Sequence, residues 1–196
     1  MHCPILKDIP PPPLGKKGWP WTEESTPLPL TNPDGQPWPK ISIVTPSFNQ
    51  GQFIEETIRS VLLQNYPNLE YIIMDGGSTD NSVEIIRKYE AWLAYWVSEK
   101  DSGQSNAINN GFMLSTGEIM GWLNSDDSYN KNALSKIAII FDNKDEFNWL
   151  VGATYIINKE GKLLKIQHSP DPISNKTFFL YQKYWIPQPS TFWNRK

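Results

Sequence analysis

Four short polar runs hold the residues best placed to do chemistry: Pro46-Ser-Phe-Asn49, Asp75-Gly-Gly-Ser78, Asp101-Ser-Gly-Gln104 and Asn124-Ser-Asp-Asp127. The fourth is the sharpest. Asp126 and Asp127 follow the apolar run 119–123, a rigid base, and Mg2+ or Mn2+ prefers one or two carboxylates together with phosphate oxygens. Alone, Asp126-Asp-Ser-Tyr-Asn130 reads equally well as a turn capping the next helix. Three of the four runs carry acids, however, and carboxylates gathered at one edge repel each other unless a cation or ligand donors compensate. Asp75-Gly-Gly also has two readings. Asp-Gly is ordinary turn chemistry, and paired glycines let a backbone approach a ligand closely.

Each of these runs follows an expected strand. Residues 41–45 are β-branched up to Pro46, 71–74 lead into Asp75, 93–97 precede Asp101, and 118–123 stop at Asn124. Amphipathic stretches between them read as helices over 51–64, from a Thr79 or Asp80 cap to about Tyr89, over 104–114 and over 130–141. Strands alternating with such helices imply an α/β fold with parallel pairing and right-handed crossovers. Ligands in such a sheet bind beyond the carboxyl ends of the strands, so the four polar runs are expected to meet at one edge. Further on, a strand over 149–157, a turn at 159–162 and a strand over 163–167 read as a hairpin. His168, just after it, reads as a surface loop histidine.

The chain changes character near Lys40. Eleven of the first 39 residues are proline, among them Pro10 to Pro13, and Trp19, Trp21 and Trp38 are interspersed. Proline fixes φ and removes a donor, so segment 1–39 is expected to be extended. Its tryptophans favour docking against the domain formed by 40–196 over free solution. The length suits one α/β core. A net charge of −3 without a Lys/Arg cluster argues against a nucleic-acid partner. The single cysteine, Cys3, allows no internal disulfide, and two histidines leave little material for a Cys/His zinc site. Low cysteine use fits the cytoplasm. No window approaches the roughly 20 apolar residues of a membrane span, so the chain reads as soluble, with room for peripheral contact at the inner membrane face. The dinucleotide glycine fingerprint, the P-loop and the serine-hydrolase elbow are absent.

Taken in order, the polar runs resemble the nucleotide-sugar-binding half of the inverting family 2 glycosyltransferases, which have the GT-A fold. The resemblance rests on Ile43-Val-Thr-Pro-Ser-Phe-Asn49, the helix residues 55–63, Asp75-Gly-Gly-Ser-Thr-Asp80, Ala107-Ile-Asn-Asn-Gly111, Thr116-Gly-Glu118 and Trp122-Leu-Asn-Ser-Asp-Asp127. Gln188-Pro-Ser-Thr-Phe192 adds a fainter match. The resemblance implies a Rossmann-like GT-A sheet flanked by helices and a nucleotide-diphosphate sugar donor, UDP-type favoured. It implies that Thr45, Pro46 and Asn49 line the base pocket and that Asp75 accepts a hydrogen bond from a pyrimidine ring N–H. Asn124 stands where many relatives have the first acid of an Asp-x-Asp motif and would contact the ribose. Asp126 would bind Mg2+ or Mn2+, supported by Asp127. Asp101 and Gln104 would lie near the diphosphate or the sugar.

The implied reaction is direct displacement at the anomeric carbon by a hydroxyl of a glycan or lipid-linked acceptor, with a carboxylate base from the acceptor-binding half. After Asp145 and Glu146 the remaining acids are Glu160 and Asp171, neither in a family-like context, so no catalytic base is assigned. The acceptor-binding half is expected to lie mostly beyond this chain, with Phe178, Phe179, Tyr181, Tyr184 and Trp185 as the start of an acceptor surface. Two other readings stand beside this one. One is a module that holds the donor without transferring it, the other a nucleotidyltransferase that makes the activated sugar. The latter usually carries a glycine-rich, arginine-bearing loop after its first strand, and Pro46-Ser-Phe-Asn-Gln50 is no such loop.

Overall fold

Ile41-Ser-Ile-Val-Thr-Pro-Ser47 becomes the innermost strand, β1 (Ile41–Ser47), and all seven residues are buried. Burial of every residue suits a parallel strand covered on both faces. A computed structural model describes residues 3–142, 148–158, 161–168 and 186–195. After β1 come α1 (Ile54–Leu62), β2 (Leu69–Asp75), α2 (Ser82–Tyr89), a 3₁₀ turn, β3 (Tyr95–Ser98), α3 (Gln104–Leu114), β4 (Ile119–Trp122) and α4 (Ala133–Asp142). Then follow β5 (Trp149–Val151), β6 (Thr154–Ile157), β7 (Leu163–Gln167) and β8 (Thr191–Asn194). The main sheet has the order β3-β2-β1-β4-β8-β5, and β6 pairs with β7 in a separate hairpin.

Alternation along the central strands feeds two cores. Ile41, Ile43, Tyr71 and Ile73 pack with Ile54, Ile58 and Val61 of α1, Ile85 and Ile86 of α2, and Leu134 and Ile137 of α4. Val44, Ile72 and Met74 pack with Ala107 of α3 on the other face. Each fully buried Ile or Leu contributes roughly 1.5–3 kcal/mol by transfer from water. Helix α3 presses close: a Cβ on Gly111 would fall 2.4 Å from Val44 Cγ1, so even alanine there would displace the helix.

The structure departs from the sequence reading in three places. First, β1 continues through Pro46 to Ser47, paired with β2. Val44 accepts the N–H of Leu123, so its polar groups face β4, and those of Pro46, two residues on, face the same way. The β1–β4 register ends at Val44 with Trp122, so beyond it the missing proline N–H leaves no ladder partner unsatisfied. Second, residues 149–157 are two strands, because Gly152 N–H donates to Ser190 O. β5 thus stays with the main sheet while β6 pairs with β7. Third, β8 runs antiparallel between β4 and β5, so the sheet is mixed. The expected hairpin is present, closed by Asn158 N–H to Lys162 O and Lys162 N–H to Asn158 Oδ1. Residues 159–160 of its turn lie outside the described residues.

Residues 3–39 carry no helix or strand beyond a Thr31–Pro37 bridge. They lie against the domain, with Trp21 and Trp38 buried and Trp19 Nε1 donating to Tyr129 O at 2.7 Å. Cys3 is buried, its thiol bonded to Tyr66 O, and burial pushes its pKa up to about 12. Among the described residues no helix is long and apolar enough to cross a membrane.

Candidate functional site

Beyond the carboxyl ends of β1 to β4 lies a cavity of about 760 Å³. All four polar loops reach it. Pro46, Phe48 and Gln50 come from the first, Gly76 and Gly77 from the second, Lys100, Asp101 and Gln104 from the third, and Asn124, Ser125 and Asp126 from the fourth. Glycine is required in the second loop. Gly77 has φ +82, and its neighbour Gly76 would place a Cβ only 3.2 Å from both carboxylate oxygens of Asp101. The bare backbone therefore lets loops two and three close on each other.

The nine residues expected at the site fall into two layers. Pro46, Asp101, Gln104, Asn124 and Asp126 line the cavity. Thr45, Asn49, Asp75 and Asp127 stand behind or beside it. Thr45 is buried, its hydroxyl 3.0 Å from that of Tyr71. Asn49 sits at φ 53, a conformation Asn tolerates. Its N–H donates to Ser78 Oγ while its side chain accepts from Thr79 N–H, tying loop one to loop two. Asp75 is buried and accepts from Ser78 N–H at 2.8 Å, Ser78 Oγ at 2.6 Å and Ser98 Oγ at 2.6 Å. A carboxylate has about four acceptor sites, and donors among the described residues fill three of them.

The fourth loop presents its two acids differently. Asp126 is exposed on the cavity wall and takes no hydrogen bond from the described residues. Asp127 is half-buried behind it. Burial, and then the charge of Asp126, push its carboxyl up to about 6, against a hydrogen bond with Asn124 that works the other way. The loop is braced from α1, where Thr57 Oγ1 lies 2.7 Å from Asp127 O and 3.0 Å from Ser125 O. Among the described residues no group of three or more His, Cys, Asp or Glu side chains is gathered to hold a metal by itself.

Asn124 belongs to a chain of amides that joins three elements. Gln104 Nε2 donates to Asn124 Oδ1 at 2.8 Å, Asn124 Nδ2 to Gln188 Oε1 at 3.0 Å, and Gln188 Nε2 to Trp122 O at 2.7 Å. Sequence reasoning did not assign Gln188 a role, although the Gln-Pro-Ser-Thr-Phe match pointed to its neighbourhood. Lys100 was also overlooked. It stands beside Asp101 after β3 and is the one cationic side chain on the described wall. His168 is exposed after β7. Asp145, Glu146, Glu160, Asp171 and the aromatics 178, 179, 181, 184 and 185 lie outside the described residues.

Similarity to known proteins agrees with this layout. TuaG of Bacillus subtilis, a glycosyltransferase named for teichuronic acid biosynthesis, is 31% identical over 140 residues, 69% of this chain and 55% of its own. An uncharacterized glycosyltransferase of Nostoc sp. is 32% identical over 109 residues, 54% of this chain and 34% of its own. The chain thus spans between a third and just over half the length of these relatives. Among solved structures, Staphylococcus aureus TarS residues 1–349 with UDP-GlcNAc superposes with a TM-score of 0.62 at 21% identity, over 79% of this chain and 45% of that one. The mannosyltransferase PcManGT of Pyrobaculum calidifontis, with GDP-Man and Mn2+, gives 0.53 at 24% identity, over 72% and 40%. The fold is GT-A, a mixed sheet flanked by helices. The family model described as Glycosyl transferase family 2 matches residues 42–196, and the chain belongs to that family.

Proposed function

We propose that this chain binds a nucleoside diphosphate sugar, UDP-linked in preference, and forms the donor side of an inverting transfer to a hydroxyl of a glycan or lipid-linked acceptor. The observation that carries this reading is the convergence of four strand-end loops on one cavity with Asp126 open on its wall. The volume is in the range of small-molecule sites. The neighbours solved with UDP-GlcNAc and with GDP-Man and Mn2+ support a donor of this chemical class.

The residues present fit Mg2+ or Mn2+. An exposed acid with a second acid crowded behind it is a pair that a divalent cation relieves, and such ions need only one or two carboxylates when a diphosphate supplies further oxygens. Asp126 would hold the ion and Asp127 would support it. When bound, the cation offsets negative charge on the departing diphosphate. The N-terminus of α3, which has no side-chain cap, opens beside Gly103 and Gln104 and favours negative charge there. Lys100 adds the remaining positive charge. Asp75 keeps one free acceptor site, which suits a ring N–H of uracil, with Thr45, Pro46 and Asn49 shaping the loop beside the base. Asn124, held between Gln104 and Gln188, faces the ribose, and Asp101 and Gln104 face the diphosphate or sugar. A cytoplasmic location, with contact at the inner membrane face, suits a lipid-linked acceptor.

The test is calorimetric titration of UDP and GDP into the chain with Mn2+ and with EDTA. Saturable binding of UDP that Mn2+ strengthens is expected. No binding of either nucleotide under either condition would overturn the proposal.

A further inference from the structure

The Pro/Trp-rich segment 3–39 precedes the residues that match the family, 42–196, yet it is bonded to the loop that carries Asp126. A segment without a ladder of its own must find donors for its buried carbonyls. Arg59, fully buried on α1, supplies them. Its Nε donates to Pro20 O at 3.1 Å, Nη1 to Pro10 O at 2.8 Å and Nη2 to Trp21 O at 2.8 Å, while Nη1 also reaches Tyr89 Oη at 3.1 Å. The guanidinium also lies over the Trp21 ring, 5.3 Å from its centre. A rigid fork with several donors is suited to gathering three carbonyls from two places along one segment.

So anchored, the segment reaches past Asp127. Trp19 Nε1 donates to Tyr129 O at 2.7 Å. Asn132 N–H donates to Ser25 Oγ at 3.0 Å, and Thr26 N–H to Asn132 Oδ1 at 3.0 Å. Asn132 stands at φ 60, so these two bonds hold a residue in the left-handed region. Helix α1 and the turn after it grip the same stretch, by Thr57 at Asp127 O, Ser60 Oγ at Tyr129 N–H and, beyond the helix end, Gln64 Nε2 at Asn130 O. Residues 125–132 are therefore held by α1 and by a segment that α1 itself anchors.

We infer that segment 3–39 is a positioning element for the cation-binding loop, anchored by Arg59 and acting on Asp126 through the Trp19–Tyr129 and Ser25–Asn132 hydrogen bonds. The inference rests on the donor-site reading above. It assigns positioning roles to Arg59, Trp19 and Ser25.

The test compares UDP affinity with Mn2+ and in EDTA for the full chain and for Trp19→Phe, Ser25→Ala and Arg59→Lys. Trp19→Phe keeps an aromatic ring and removes the N–H donor. It should weaken Mn2+-supported binding about threefold to tenfold, the scale of one hydrogen bond, with affinity in EDTA unchanged. Ser25→Ala should act in the same direction and Arg59→Lys more strongly. A packing role alone would lower the melting temperature with the Mn2+-supported affinity unchanged, or lower both affinities together. Either of those results in Trp19→Phe and Ser25→Ala, which are mild enough to fold if Arg59→Lys is not, overturns the inference. Equal affinity of the unaltered chain with Mn2+ and in EDTA overturns the metal reading first and the inference with it.

Discussion

The carboxyl ends of β2 and β4 each bring an acid to the same edge of the sheet, and they treat it in opposite ways. Asp75 is the last residue of β2, inside the ladder, opposite Ser47 of β1 and Ser98 of β3. Its neighbours are short hydroxyl side chains, and three protein donors already point at it. Asp126 lies beyond the end of β4, on a loop whose backbone is braced from behind by Thr57. Its own carboxylate is left open to the cavity. An acid inside the ladder is solvated by the protein and can read one further donor. An acid on a braced loop keeps its charge available for a cation. Under the proposed function, position relative to the strand end separates a recognition role for Asp75 from a metal-binding role for Asp126.

The largest expected effect breaks the open side of this comparison. Asp126→Asn should reduce Mn2+-supported UDP affinity by roughly 100-fold, since even partners of metal ligands cost 10–100-fold when removed. Calorimetry with and without Mn2+ checks it, and retention of metal dependence in the variant would move the ion elsewhere. Asp75→Asn addresses the satisfied side. It should weaken UDP roughly 10-fold or more, the scale of a hydrogen bond to a charged group. It should also narrow the preference for UDP over CDP, because cytosine has no ring N–H at the corresponding atom. An unchanged UDP affinity would return Asp75 to a turn-forming role.

Lys100→Ala should cost about twofold to fivefold, the range of a solvated ion pair. The loss should shrink as salt is raised, and a loss independent of salt would contradict an electrostatic role. The smallest effect on binding is expected at the far end of the sheet. Burial raises the pKa of Glu70, but hydrogen bonds from Ser42 and Thr116, with the charge of Lys40, outweigh it and hold the carboxyl below the usual range. A depressed carboxyl adds stability above its unfolded pKa and loses it as pH falls through the folded value. Glu70→Gln should therefore lower stability at neutral pH by less than about 1 kcal/mol, because the carboxyl is partly solvated, lose that difference as pH falls through the depressed folded value, and leave UDP binding intact. Melting curves from pH 3 to 7 test this, and a difference that grew toward acid pH would contradict it.

Much of the molecule could be read along the chain because its period carries the information. Val44 and Ile73 sit in β-branched runs, and Ile54, Ile58 and Val61 recur at helical spacing. What escaped depends on contacts between distant segments. Thr191-Phe-Trp-Asn194 is too short to announce a strand, and it becomes one only by inserting between β4 and β5. Gly152 breaks residues 149–157 because Ser190, far along the chain, accepts its N–H. At the site, the four loops and their acids were legible from strand ends. Which side chains form the wall was not. Asp75 and Asp126 look alike in a string, and only the extra residues between Trp122 and Asp126 carry the second acid out of the ladder. Gln188 reaches Asn124 from 64 residues away, a pairing that no local pattern encodes.

In the proposed site, Asp126 and a nucleoside diphosphate share one cation. A crystal grown with UDP and MnCl2, with data collected at the manganese absorption edge, tests it most directly. An anomalous peak is expected within about 2.5 Å of a carboxylate oxygen of Asp126 and of diphosphate oxygens, with the uracil toward Asp75. A diphosphate bound in the cavity with manganese distant from Asp126, or a nucleotide bound elsewhere on the chain, would contradict it.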